Sequence, residues 1–211
     1  MLIVHHLSNS RSQRILWMLE ELGLNYEILR YRRSSDMSAP QELKAIHPLG
    51  KSPILEDLGA DGQRTIVVET GAICDYLVER ANGRLGPSDA TDKILYRQFL
   101  HYAEGSVMPV LLAMLVASKI PILGRAAIKH VQPMLDTHLD FIEAQLGSRP
   151  WFAGDRITAA DIMMSFPLEA ARVRGRLGSS RPATSAWLDL IHTRPAYIAA
   201  LEKGGPYAFA A

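Results

Sequence analysis

Three short stretches of this chain carry side chains whose types could do chemistry: one could pair with an extended peptide, one could hold an anion, and one could hold an amino-acid head group. In the run from His47 to Leu55, Lys51 and Ser52 precede Pro53 at the head of an apolar segment. Proline lowers the cost of a cis peptide bond, and a cis Ser52–Pro53 bond would turn the Ser52 N–H and C=O outward to pair with an extended peptide. Lys51 beside it offers a cation for a terminal carboxylate. The second stretch, Ser8-Asn9-Ser10-Arg11, lies between a short apolar run and a helical period. Hydroxyls and amides at a helix start meet the positive end of the helix dipole, so a serine there can stabilise a thiolate, with Arg11 facing the same anion. Glu69-Thr70 repeats this logic at another helix start. Thr70 can hold a carboxylate and Glu69 an ammonium, which together suit an amino-acid head group.

Each stretch also has a structural reading, and on spacing alone that reading is the commoner one. Pro53 can be a trans proline opening a strand, Ser10 and Thr70 can be helix caps, and Arg11 can be solvated. Tyr102, Met108 and Met114 recur at helical spacing, which fits a core, although methionine also suits adaptable binding surfaces. Thr158 and Asp161 satisfy each other as a capping box. His5 and His6 alternate to opposite faces of a strand and so share no metal, and no other residues complete a metal site.

The elements that must position these groups follow from periodicity and breakers. Leu2 to His6 reads as a strand, Ile15, Leu16, Leu19 and Leu22 as one face of a helix ended by Gly23, and Tyr26 to Tyr31 as a second strand. A short helical piece ends near His47-Pro48. Ile54 to Asp57 and Thr65 to Val68 form two further strands about the turn Gly59-Ala60-Asp61-Gly62, and a helix begins at Glu69-Thr70-Gly71. The densest breakers, Asn82-Gly83-Arg84-Leu85-Gly86-Pro87, mark a boundary between residues 1–81 and 88–211. Beyond it the periods are long and helical. One helix carries Ile94, Leu95, Phe99 and Tyr102 on toward Ser118 with a kink at Pro109, and another carries Ile128, Val131, Leu135, Leu139, Ile142 and Leu146 up to Gly147. Shorter helices follow around Ile162 to Phe166, Trp187 to Ile191, and Pro195 to Leu201.

Composition narrows the function classes. The 23 basic and 22 acidic side chains give a formal charge of +1, which argues for no nucleic acid and no anionic membrane as partner. Cys74 is the single cysteine, which excludes an intrachain disulfide and a Cys-x-x-Cys redox pair and fits the cytoplasm. The N-terminus lacks the pattern of a signal peptide, and Met108 to Ala117 is too short to span a bilayer, so the expectation is a soluble, unprocessed chain with no membrane partner.

Joined together, these motifs resemble the cytosolic glutathione S-transferases. The carriers are Pro48-Leu49-Gly50-Lys51-Ser52-Pro53-Ile54-Leu55, Glu69-Thr70-Gly71-Ala72-Ile73, the run Gly154 to Asp161, and Arg194-Pro195-Ala196-Tyr197. The opening His5-His6-Leu7, with Ser10-Arg11-Ser12 and Leu19-Glu20-Glu21-Leu22, looks like the branch that includes fungal and bacterial transferases of the yeast GTT type. The resemblance implies an α/β thioredoxin-like N-terminal domain that binds glutathione and an all-α C-terminal helical bundle that contributes an electrophile pocket. It also implies a cytoplasmic homodimer with a detoxification role and no metal. Glutathione, the co-substrate, would pair its cysteinyl backbone with Ser52 ahead of cis-Pro53, rest its γ-glutamyl head on Glu69 and Thr70, and point its glycine carboxylate toward Lys51. Its thiol would lie over the first helix start, where Ser10 is the first choice, Ser8 and Asn9 remain open, and Arg11 assists. A small hydrophobic electrophile would contact Leu7, Tyr102 and Met108. The implied reaction is conjugation of the glutathione thiolate. The alternatives are glutathione-dependent reduction of peroxides or disulfides, and a binder without catalysis.

Overall fold

Along β1 (Leu2–Leu7) nearly every side chain is buried, which requires cover on both faces of its sheet. β1 pairs in parallel with β2 (Tyr26–Tyr31) and antiparallel with β3 (Ile54–Leu58), and β3 pairs antiparallel with β4 (Arg64–Val68), giving the order β2-β1-β3-β4. The parallel pair is bridged by α1 (Ser12–Leu22), the crossover that such a pair needs. The structure, a computed structural model, describes every residue except Met37, Ala60, Gly175 and Ala211. The expected turn between β3 and β4 forms, with Ala60 itself outside the described residues. A short helix, α2 (Glu42–Ile46), precedes β3, and α3 (Thr70–Arg80) follows β4.

Periodicity predicts an amphipathic α1, but the structure buries Ser12, Gln13 and Arg14 along with the apolar residues. The reason lies in the last helix, α9 (Pro195–Gly204), which packs on α1. Gln13 Nε2 donates to the Ala200 carbonyl at 2.9 Å, and Arg194 grips Glu21 through two bonds of 2.5 and 2.8 Å. The helices approach closely at Gly204, where a Cβ would come within 2.5 Å of Gln13 Oε1 and 2.9 Å of Leu16 Cδ1. One compact unit therefore comprises Met1–Gly86 with His192–Ala210. Residues 192–210, grouped with the C-terminal helices by sequence, pack in this first unit.

The second unit spans Pro87–Ile191. The Asp89 carboxylate caps α4 (Ala90–Tyr102), accepting the Thr91 and Asp92 N–H groups at 2.8 Å each. The chain then passes through a π-helical turn, Ala103–Val107, into α5 (Met108–Ser118). Pro109 lacks an N–H and crowds the carbonyl four residues back, and the wider turn accommodates it without breaking the helix. The resulting helix runs 29 residues and is long and apolar enough by composition to cross a membrane, unlike the Met108–Ala117 segment considered alone. Its Phe99, Leu100, Val107, Leu111 and Met114 are buried in the unit, as in the core helix of a bundle.

α6 (Leu123–Ser148) takes Pro133 in its interior and continues past Gly147, where the sequence suggested an end. α7 (Ala159–Val173) has the expected capping box, with the Asp161 carboxylate accepting the Thr158 N–H at 2.8 Å, and α8 (Pro182–His192) follows.

Candidate functional site

The loop that opens α1 combines a left-handed backbone position at Asn9 with two nearby guanidiniums. Asn9 adopts φ 52°, a left-handed conformation that asparagine tolerates better than most residues. Its Oδ1 accepts the Ala208 N–H at 2.7 Å, and its carbonyl accepts Arg33 Nη2 at 3.0 Å. Arg33 Nε also donates to the Ser8 carbonyl at 3.2 Å. Partial burial and the repulsion of nearby Arg11 lower the Arg33 pKa, so two guanidiniums share this corner with the positive end of α1. The place favours an anion. Arg33 lay in a polar loop with no periodic signal, and sequence reasoning passed over it.

Ser10 is buried and accepts the Ser12 N–H at 3.2 Å, the capping role the sequence allowed, while its Oγ also lies 2.8 Å from Ser12 Oγ. Ser12 Oγ in turn lies 2.8 Å from His6 Nδ1. Burial pushes the His6 pKa down to about 4, against a hydrogen bond from the ring to the Gly204 backbone, with Arg30 lowering it further. His6 is therefore neutral near pH 7. The two adjacent histidines do point to opposite faces: His5 bonds Glu56 Oε1 at 2.6 Å and the Tyr31 hydroxyl at 2.9 Å. Ser8 Oγ donates to the Tyr31 carbonyl at 3.4 Å.

The Ser52–Pro53 peptide bond is cis, as expected. Ser52 Oγ donates to the His5 carbonyl at 2.8 Å and accepts the Leu7 N–H at 3.2 Å, which fixes this corner to the end of β1. Pro53 is buried and Lys51 exposed. Ahead of them, Gly50 takes φ 57° to close a tight turn on His47. Glu69 stands at the α3 N-cap with φ 69°, exposed, in a conformation that costs on the order of 1–3 kcal/mol and that clusters at functional sites. Thr70 is buried as the first helical residue, and Arg14 Nη2 reaches its hydroxyl at 3.4 Å. Arg14, His6 and Ser12 were not singled out by sequence as site residues, because their relevance depends on which helix starts meet.

The residues expected to line an electrophile pocket fall in both units. Leu7 is buried. Tyr102 donates to or accepts from His138 Nδ1 at 2.6 Å, lies against Phe99 and Phe141, and has its pKa pushed up to about 12 by burial. Met108 is buried as well. A cavity of about 280 Å³ in the second unit is bounded by Leu111, Met114, Leu115, Ser118, Arg174 and Arg176. Arg176 Nη1 donates to Gln132 Oε1 at 3.1 Å. Cys74 is buried, and that burial pushes its thiol up to about 12, which keeps it protonated and unreactive. Among the described residues no group of three metal-binding side chains converges.

Comparison with known proteins agrees with this architecture. Residues 10–80 match the family model of the glutathione S-transferase N-terminal domain, and residues 125–191 that of the C-terminal domain. Glutathione S-transferase 1 of Saccharomyces cerevisiae is 35% identical over 95% of this chain and 94% of its own length. The chain belongs to the glutathione S-transferase family. Glutathione S-transferase 3 of Schizosaccharomyces pombe is 37% identical over 96% of this chain and 88% of its own length. A glutathione S-transferase from Actinobacillus pleuropneumoniae superposes with a TM-score of 0.84 at 30% identity, covering 99% of this chain and 94% of that one. The fold of this family, a thioredoxin-like sheet unit followed by helices, is the fold observed. A disulfide-bond oxidoreductase of Escherichia coli, 27% identical over 90% of this chain and 89% of its own length, also lies within this similarity.

Proposed function

We propose that this transferase conjugates the thiolate of glutathione to a small hydrophobic electrophile. The observation that carries the reading is the start of α1, where Ser10 lies beside the helix dipole and the Arg11–Arg33 pair. Glutathione binds as an extended tripeptide with its cysteinyl backbone at Ser52 and Pro53, its γ-glutamyl group at Glu69 and Thr70, and its glycine carboxylate at Lys51. Ser10 donates to the sulfur, with Ser8 and Asn9 flanking it. The thiolate attacks the electrophilic carbon, a C–S bond forms, and the leaving group departs with its electron pair. The protein supplies position and charge rather than a nucleophile of its own.

The electrophile is held in the helical unit. Its cavity favours a molecule with an apolar body against Leu111, Met114 and Leu115 and an electron-rich substituent toward Arg176. The protein works in the cytoplasm as a homodimer. Exposed apolar residues on the helical unit, Ile94 at 70% and Val116 at 56%, support pairing of subunits. Sedimentation showing only monomer rejects it.

A second reading, reduction of disulfides by two glutathiones in turn, is favoured by the similarity to the oxidoreductase and by the inert Cys74, which leaves the thiol chemistry to glutathione. Ultraviolet titration of the thiol in the glutathione complex, with assays on an activated aryl chloride and on a mixed disulfide, tests both. An ionised thiol near neutral pH with turnover of the chloride is expected. Turnover of the disulfide alone selects the second reading, and binding without ionisation leaves a non-catalytic binder.

A further inference from the structure

We infer that His6 is a positioning residue that sets which way the Ser12 and Ser10 hydroxyl protons point, and through them how strongly Ser10 can hold a thiolate. The inference rests on the placement of the glutathione thiol at Ser10 proposed above.

A neutral imidazole has one N–H and one lone pair. With the Gly204 backbone as the acceptor of one ring N–H and Nδ1 facing Ser12 Oγ at 2.8 Å, we place the proton on Nε2 and make Nδ1 the acceptor. Ser12 Oγ can donate to His6 Nδ1 at 2.8 Å or to the Leu7 carbonyl at 3.3 Å, and the shorter contact takes the proton. Ser12 Oγ is then an acceptor toward its other neighbours, the Leu7 N–H at 3.2 Å and Ser10 Oγ at 2.8 Å. Ser10 already accepts the Ser12 N–H at 3.2 Å, and its own proton turns inward to Ser12.

An arriving sulfur competes with Ser12 for that single proton. A thiolate wins it, because a bond to an ion is roughly twice as strong as one between neutral groups, but the bond to Ser12 is lost. The inward bond thus acts against ionisation, and an intramolecular bond of ordinary strength corresponds to roughly half to one pKa unit at the thiol. The charged groups around this chain are Arg30 on β2, which bonds the Lys203 carbonyl, and Arg11 and Arg33 at the loop. The end of α9 supplies the Gly204 contact, so the C-terminal helix sets the direction of the whole chain of bonds.

Two measurements test this. Nitrogen NMR of His6 in the ligand-free protein is expected to show the Nε2–H tautomer near pH 7, and an Nδ1–H tautomer overturns the inference whatever glutathione does. In the glutathione complex, Ser12→Ala and His6→Phe are each expected to lower the thiol pKa by roughly half to one unit. In a Ser10→Ala background the same substitutions are expected to leave it unmoved. A rise on Ser12→Ala, or an equal shift without Ser10, overturns the inference. If Ser10→Ala alone leaves the thiol pKa unchanged, the proposed role of Ser10 fails, and the tautomer still reports on the His6–Ser12 polarity.

Discussion

The guanidinium of Arg14, in the first turn of α1, reaches the hydroxyl of Thr70, the first residue of α3, at 3.4 Å. This contact ties together the two helix starts proposed to hold the thiol and the γ-glutamyl group of one tripeptide. Arg14 is only 2% exposed, so its charge is held away from water and must be balanced locally.

Arg14→Met is therefore expected to cost about 1–3 kcal/mol of stability, read as a lower denaturation midpoint. Glutathione affinity should fall about tenfold as Thr70 loses its support, while affinity for the electrophile stays near that of the unaltered protein. Equal loss for both ligands would show that Arg14 serves only the fold.

The loop residues should separate by pH profile. Ser10→Ala is expected to raise the pH of half-maximal conjugation by about one unit, the worth of one hydrogen bond to an anion, with glutathione affinity nearly intact. Ser8→Ala should have little effect, because that hydroxyl is turned to the Tyr31 carbonyl at 3.4 Å. A larger shift for Ser8 than for Ser10 would move the thiol to the other side of the loop.

Acid stability should carry the signature of His6. Its pKa falls from 6.5 in the unfolded chain to about 4 in the fold, so protons bind the unfolded state more tightly. The associated stability is fully present above pH 6.5 and is lost as pH falls toward 4, about 3 kcal/mol in all. Denaturant titrations of His6→Phe between these limits should show a flatter dependence on pH than the unaltered protein; matching slopes would mean another group dominates the acid limb.

The cavity makes a specificity prediction. Arg176→Gln keeps a side chain that can bond Gln132 but removes one of the two guanidiniums, Arg174 being the other, from a wall whose apolar part is Leu111, Met114 and Leu115. Conjugation of an electrophile bearing a carboxylate or nitro group should lose about 1 kcal/mol of preference over a neutral analogue of the same size, read as a change in the ratio of kcat/KM values. Preservation of that ratio would place the electrophile elsewhere.

Much of this protein is local and so was written in its sequence. The β1–α1–β2 unit, the β3–β4 hairpin and the Thr158–Asp161 capping box follow from alternation, helical period and turn residues, interactions between near neighbours along the chain. The same holds for the family motifs around Pro53 and Glu69, where the special backbone conformations at the cis bond and at φ 69° sit on short runs of residues. Tertiary structure decided what lies far apart in sequence. Gln13 meets Ala200 and the Gly204 backbone meets His6 because α9 returns to cover α1, Arg14 meets Thr70 because α3 also packs on α1, and no periodicity in these helices encodes those partners. That packing buries the polar face of α1, and within the helical unit Tyr102 bonds His138 while a cavity opens at Leu111 and Met114. Sequence period reports which face of an element is apolar; the neighbour that covers each face is set by the packing of the whole unit.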